Sequence, residues 1–169
     1  MSEIERIEAT LDGRGLRFAI VAARFNSRIV DRLIDGAVDC LVRHGVAPAD
    51  VRVVRVPGAW ELPLALEELA AGGGLDGMVA LAAVIRGETP HFDYICGACV
   101  NGIARVSKRH LVPVGFGVLT CDTSAQAEER AGGKAGNKGW EAASAALEMA
   151  GVLAGLRRSG GRRTGEAEA

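Results

Sequence analysis

Four short apolar runs alternate with longer segments of helical period, and that alternation leaves the chain very few folds to choose from. Residues 16–23 (LRFAIVAA), 51–56 (VRVVRV), 77–85 (GMVALAAVI) and 112–120 (VPVGFGVLT) are rich in β-formers and punctuated by turn residues, so each reads as a strand. The third is apolar without a break, as expected of a strand covered on both faces. Between the first two, Ile29, Val30, Leu33, Ile34, Ala37, Val38, Leu41 and Val42 recur in pairs four residues apart. They make one broad helical face, with Ser27 as the expected cap and Gly45 as the stop. Further helices are expected over 59–71, closed by the glycines at 72, 73 and 74, then over 90–110, near 124–131, and over 139–157. Strands that alternate with helices need right-handed crossovers and a parallel sheet between helical layers. The expected fold is therefore α/β, a flavodoxin-like three-layer α/β/α sandwich with a four-stranded parallel sheet. A chain of 169 residues suits a single domain, expected over 1–158, with 159–169 (SGGRRTGEAEA) lacking an apolar anchor and expected as a disordered tail.

Composition removes several classes of function. A formal net charge of -1 gives the chain no electrostatic reason to bind nucleic acid or a membrane surface. No run reaches the length of a membrane span, since the apolar stretch at 77–85 stops at Arg86. The charged N-terminus MSEIERIEAT does not read as a signal peptide, and the scattered cysteines fit a reducing, cytoplasmic location. Cys96 and Cys99 have metal-ligand spacing, but there is no second such pair, and they read as small buried residues of a helix.

In open parallel sheets ligands bind beyond the carboxyl ends of the strands, so the segments that follow the strands are the ones to inspect. They are Phe25-Asn26, Pro57-Gly58-Ala59-Trp60-Glu61, Arg86 to His91, and Cys121-Asp122-Thr123. In the third, Thr89 suits a helix N-cap and Pro90 the first helical position, which would turn unpaired backbone N–H groups toward an anion. Gly87 permits close approach of a ligand, and His91 lies in the same first turn with an imidazole suited to proton transfer near neutral pH. Residues 130–139 (RAGGKAGNKG) add three cations, Arg130, Lys134 and Lys138, to a glycine-rich backbone, as a phosphate-bearing ligand would require. Taken singly, each feature has a plainer reading. Phe25 and Trp60 could be core aromatics, Glu61 could serve only a helix dipole, His91 could be structural, and the cations could form a solvated face. Their convergence on one edge of the sheet favours a binding site.

Together these segments resemble the 6,7-dimethyl-8-ribityllumazine synthase family of riboflavin biosynthesis. The resemblance covers 16–153 and rests on Arg24-Phe25-Asn26, VPGAWELP from Val56, VIRGETPHFDY from Val84, FGVLT from Phe116, and RAGGKAGNKG from Arg130. It implies condensation of 5-amino-6-(D-ribitylamino)uracil with 3,4-dihydroxy-2-butanone 4-phosphate, with no metal and no organic cofactor. It implies that Phe25 stacks on the pyrimidine and that Asn26 and Glu61 hold the ribityl chain. Ala59, Trp60 and Ala83 would line the pocket, with Val84 and Ile85 offering backbone groups to the pyrimidine edge. Gly87, Glu88 and Thr89, with Arg130, would surround the phosphate, His91 would shuttle protons, Lys138 would contact the pyrimidine, and Phe116 would close the pocket. Glu141 falls where an acidic residue could orient His91. In the family the site is shared around a ring of five, so Phe116, Arg130 and Lys138 would come from a neighbouring copy. The 130–139 run resembles members that close twelve pentamers into an icosahedral shell of sixty subunits, whereas others stop at pentamers or decamers. Two other readings fit less well. A non-catalytic shell-forming or ligand-binding relative would not need Phe25, Glu61, His91, Arg130 and Lys138 together. A carrier of a flavin nucleotide would want a glycine-rich loop after the first strand, where Arg24 to Ser27 has none.

Overall fold

The computed structural model describes residues 4–165. A four-stranded, wholly parallel sheet in the order β2-β1-β3-β4 is built from β1 (Phe18–Ala23), β2 (Val51–Val56), β3 (Gly77–Ile85) and β4 (Val114–Cys121). Phe18 sits in register with Val51 on one side and Gly77 on the other, and Met78 with Val114. The helices are α1 (Ser27–Arg43), α2 (Leu62–Ala71), α3 (His91–His110), α4 (Ser124–Glu129) and α5 (Lys138–Gly165). Single 3₁₀ turns at Pro48–Asp50 and Ala59–Glu61 precede β2 and α2.

The period-two geometry of a strand divides the core in two. Phe18, Ile20, Ala22, Val79, Leu81 and Leu119 point toward α1, α4 and α5, where they meet Leu33, Leu41, Ala127, Ala143 and Leu147. Their neighbours Ala19, Val21, Met78, Ala80 and Val118 point the other way, onto Leu62 and Leu66 of α2 and Cys99, Ile103 and Val106 of α3. These are the three layers read from the sequence. Each large side chain that is fully buried, such as Phe18, Ile20, Leu33 or Met78, contributes about 1.5–3 kcal/mol of transfer free energy.

Local differences from the sequence reading have physical causes. Asn26, not Ser27, caps α1: its carbonyl accepts from Ile29 and Val30 N–H at 2.9 and 3.1 Å, and Ser27 is already helical. Thr89 does not cap α3. Pro90 does, at φ -63, with its carbonyl accepting from Asp93 N–H at 3.0 Å. α5 continues past Arg157 to Gly165 because the N-terminal segment supports it. Gly151 and Gly155 leave room for Ala9 and Ile7, and the Ser159 hydroxyl bonds the Glu5 carboxylate. The rest of the expected tail, 166–169, lies outside the described residues. Among the described residues no helix is long and apolar enough to cross a membrane.

Candidate active site

The segments that follow β1 and β2 are stitched to each other. Arg24 N–H donates to Val56 O at 2.8 Å and Phe25 N–H to Pro57 O at 3.1 Å. The chain then turns through Asn26 at φ 56 and ψ 42, a left-handed conformation that asparagine tolerates better than most residues. Its side-chain amide donates to Ala83 O at 2.7 Å and so anchors the turn on β3. From β2, Arg55 reaches across to Ala23 O at 3.3 Å and to the Asp31 carboxylate at 2.5 Å, fixing the end of β1 against α1.

Phe25 and Trp60 are 71% and 61% exposed, which removes the reading of either as a core aromatic. Gly58 brings them into one wall, since a Cβ there would lie 2.9 Å from the Phe25 ring and 3.3 Å from the Glu61 carboxylate. Glu61 is held by the Gly58 N–H at 2.9 Å through Oε2. That bond is a capping-box contact at the start of the 3₁₀ turn, and Oε1 makes no hydrogen bond among the described residues.

Beyond the carboxyl end of β3, Ala83, Val84, Ile85 and His91 complete this wall, and the whole encloses a cavity of about 450 Å³. Nine of the expected residues line it: Phe25, Asn26, Ala59, Trp60, Glu61, Ala83, Val84, Ile85 and His91. Gly58, Ala23 and Ile95 line it as well and were not expected there. Ile95 could have been found, because it lies four residues after His91 and so on the same face of α3. His91 is exposed and makes no hydrogen bond among the described residues, so nothing in this chain assigns it a structural task. Gly87, Glu88 and Thr89 stand at the approach to α3, exposed and outside the cavity lining.

Gly87 supplies a clean test. No heavy atom lies within 4 Å of where a Cβ would be, and its backbone is not left-handed. Gly87→Ala is therefore expected to leave thermal stability unchanged and to lower turnover several-fold if a ligand approaches this backbone. Wild-type turnover from a stable Gly87→Ala protein would move the ligand elsewhere.

The glycine-rich run that the sequence left without a secondary structure is a small antiparallel hairpin, β5 (Ala131–Gly133) with β6 (Gly136–Asn137). Its geometry explains the spacing of the cations. Arg130 precedes β5 and Lys138 follows β6, so pairing of the two strands sets them side by side, with Lys138 N–H donating to Arg130 O at 2.8 Å. Gly132 and Gly136, at φ 98 and 74, supply the left-handed residues the hairpin needs. Asn137 fixes it in place, accepting from Gly139 N–H at 2.9 Å and donating to Arg32 O on α1 at 2.9 Å.

Arg130, Lys138 and Phe116 meet in a second depression of about 230 Å³ over β4. Phe116 lies mid-strand and is half-exposed. The Lys138 ammonium pairs with Glu141 at 2.7 Å, so within one chain Glu141 is engaged there and not at His91. The two concavities flank the ladder in which Val84 pairs with Thr120 and Ile85 with Cys121, yet they share no lining residue. The first has aromatic walls, a carboxylate and an imidazole but no Lys or Arg. The second has two cations and an aromatic ring. Cys99 is buried and Cys96 half-buried on α3, and burial raises both thiols above the ordinary cysteine range, the Cys99 thiol to about 11. Among the described residues no group of three or more His, Cys, Asp or Glu side chains is placed to hold a metal ion.

The comparisons with known proteins agree with one another. A family model described as 6,7-dimethyl-8-ribityllumazine synthase matches residues 15–154. The 6,7-dimethyl-8-ribityllumazine synthase of Desulfovibrio desulfuricans is 56% identical over 153 residues, covering 90% of this chain and 98% of the relative. That of Aquifex aeolicus is 53% identical over 150 residues, covering 89% and 97%, and that of Nitratidesulfovibrio vulgaris is 54% identical over 153 residues, covering 90% and 98%.

Proposed function

The chain belongs to the 6,7-dimethyl-8-ribityllumazine synthase family, transferases of riboflavin biosynthesis, and from that premise we propose that its two concavities are complementary halves of one active site. The reaction condenses 5-amino-6-(D-ribitylamino)uracil with 3,4-dihydroxy-2-butanone 4-phosphate and yields 6,7-dimethyl-8-ribityllumazine, phosphate and water. The observation that carries the proposal is the division of labour between the halves. A phosphorylated substrate needs cations, and the cavity that holds His91 contains none, while the cations stand with Phe116 on the other side of the β3–β4 ladder. A second copy that presents its β4 face to the cavity supplies what is missing. The functional unit on this reading is a ring of five, each interface carrying one site, and further closure into a sixty-subunit shell leaves those sites unchanged.

In the completed site the pyrimidine lies between Phe25 and Trp60, with Val84 and Ile85 offering backbone groups to its edge and Lys138 of the neighbouring copy beside it. Ala59 and Ala83 shape the floor, and Asn26 and the Glu61 carboxylate receive the ribityl hydroxyls. Gly87, Glu88 and Thr89, with the neighbour's Arg130, surround the phosphate. The uracil amine attacks the ketone and loses water to give an imine, phosphate leaves from the adjacent carbon, and the ring closes. Each step moves a proton, and His91 is the group at hand to move it. The departing phosphate carries charge that Arg130 and the loop at Thr89 offset. Holding two substrates in register supplies much of the remaining rate. On the same reading the domain that does this spans 1–158 and works in the cytoplasm.

The test is lumazine formation, followed by absorbance, from protein whose mass is measured by light scattering. Product from a particle that is a multiple of five chains is expected. A correctly assembled particle that makes no product would leave a scaffold or binding protein as the better reading.

A further inference from the structure

Arg86 lies between the cavity residue Ile85 and the loop at Gly87, yet it lines neither concavity. Its half-exposed guanidinium is shared between two carboxylates of its own chain. Nε donates to Asp122 Oδ1 at 2.9 Å, NH1 and NH2 face the two oxygens of Asp93 at 3.4 and 3.3 Å, and Cζ lies over the Phe92 ring, 4.2 Å from its centroid. Its backbone N–H donates to Cys121 O at 2.9 Å. One side chain thus joins three pieces of backbone: the exit of β3, the exit of β4 at Asp122, and the first turn of α3, where Phe92 and Asp93 directly follow His91.

We propose that Arg86 is a positioning residue, holding the 87–89 loop and His91 in a fixed relation to the end of the sheet, and that it is not a ligand of the substrate phosphate. A cation already shared by two carboxylates has little field left for a third anion, whereas among the described residues the Arg130 side chain hydrogen-bonds only a carbonyl, Gln126 O. The fork that reaches Asp93 and Asp122 at once requires a planar guanidinium, which lysine cannot reproduce. The role rests on the reading of His91 and the loop given above.

Steady-state kinetics of wild type, Arg86→Lys and Arg86→Ala, each with a melting temperature, separate the alternatives. Both variants are expected to lose about tenfold to a hundredfold in kcat, as a displaced catalytic geometry does, with KM for the phosphorylated substrate and inhibition by inorganic phosphate changed less than about twofold. Three results would overturn the role: Arg86→Lys restored to wild-type kcat, a loss confined to KM and phosphate inhibition, or a lowered melting temperature with kcat intact. A wild-type protein that makes no lumazine would instead remove the reading on which the role rests, and the role with it.

Discussion

His91→Ala is expected to lower kcat by about 10²-fold while changing KM for either substrate by less than about threefold, measured by initial-rate lumazine formation. The imidazole stands at the first position of α3 on the rim of the cavity, exposed and unpaired among the described residues, so its removal leaves no buried polar group unsatisfied. Folding and substrate contacts should survive, and the loss should fall on the steps that move protons. The expected loss is near the lower end of what general acid–base groups supply. A variant whose KM rises in proportion to its loss of kcat/KM, with kcat preserved, would make His91 a binding group.

Arg130→Ala should act on the other parameter. Its guanidinium donates to Gln126 O at 2.9 Å and is otherwise directed into the depression with Phe116 and Lys138. Hydrogen bonds between charged partners contribute about 1.5–3 kcal/mol, which corresponds to a loss of roughly 10- to 150-fold in kcat/KM for the phosphorylated substrate. Most of that should be seen in KM, with KM for the uracil substrate little changed. Equal losses for both substrates would separate Arg130 from the phosphate.

The sheet and its layers could be read from the sequence because each strand is a short run rich in β-formers, and β1 and most of β3 are buried along their whole length, a signal that depends on local composition alone. The cavity was nearly as legible, since the rule that ligands gather at carboxyl ends of parallel strands points to the segments after β1, β2 and β3 that line it, although the fourth segment, 121–123, does not. What the sequence withheld depends on contacts between distant residues or on very short elements. The hairpin at 131–137 has strands of three and two residues with no β-branched side chain, so no periodicity announces it. Asn26 displaces Ser27 as the cap of α1 because its amide is drawn to Ala83, 57 residues away. Arg86 has no role legible from the sequence, and only Asp93 and Asp122, 7 and 36 residues away, reveal how its charge is used. Phe116 came from the resemblance, since nothing in single-chain geometry brings a mid-strand residue of β4 to the mouth of the cavity.

The central claim is that one site is made from two chains, and the two variants above test it together. His91→Ala damages only the cavity half and Arg130→Ala only the half presented by β4. In a ring built at random from equal amounts of both, about a quarter of the interfaces join two undamaged halves. Co-expressed at equal levels, purified as mixed particles and assayed with the phosphorylated substrate well below KM, the pair should recover activity far above either variant alone, approaching about a quarter of wild type. Mixed particles no more active than the average of the two variants would contradict a shared site and return both halves to a single chain.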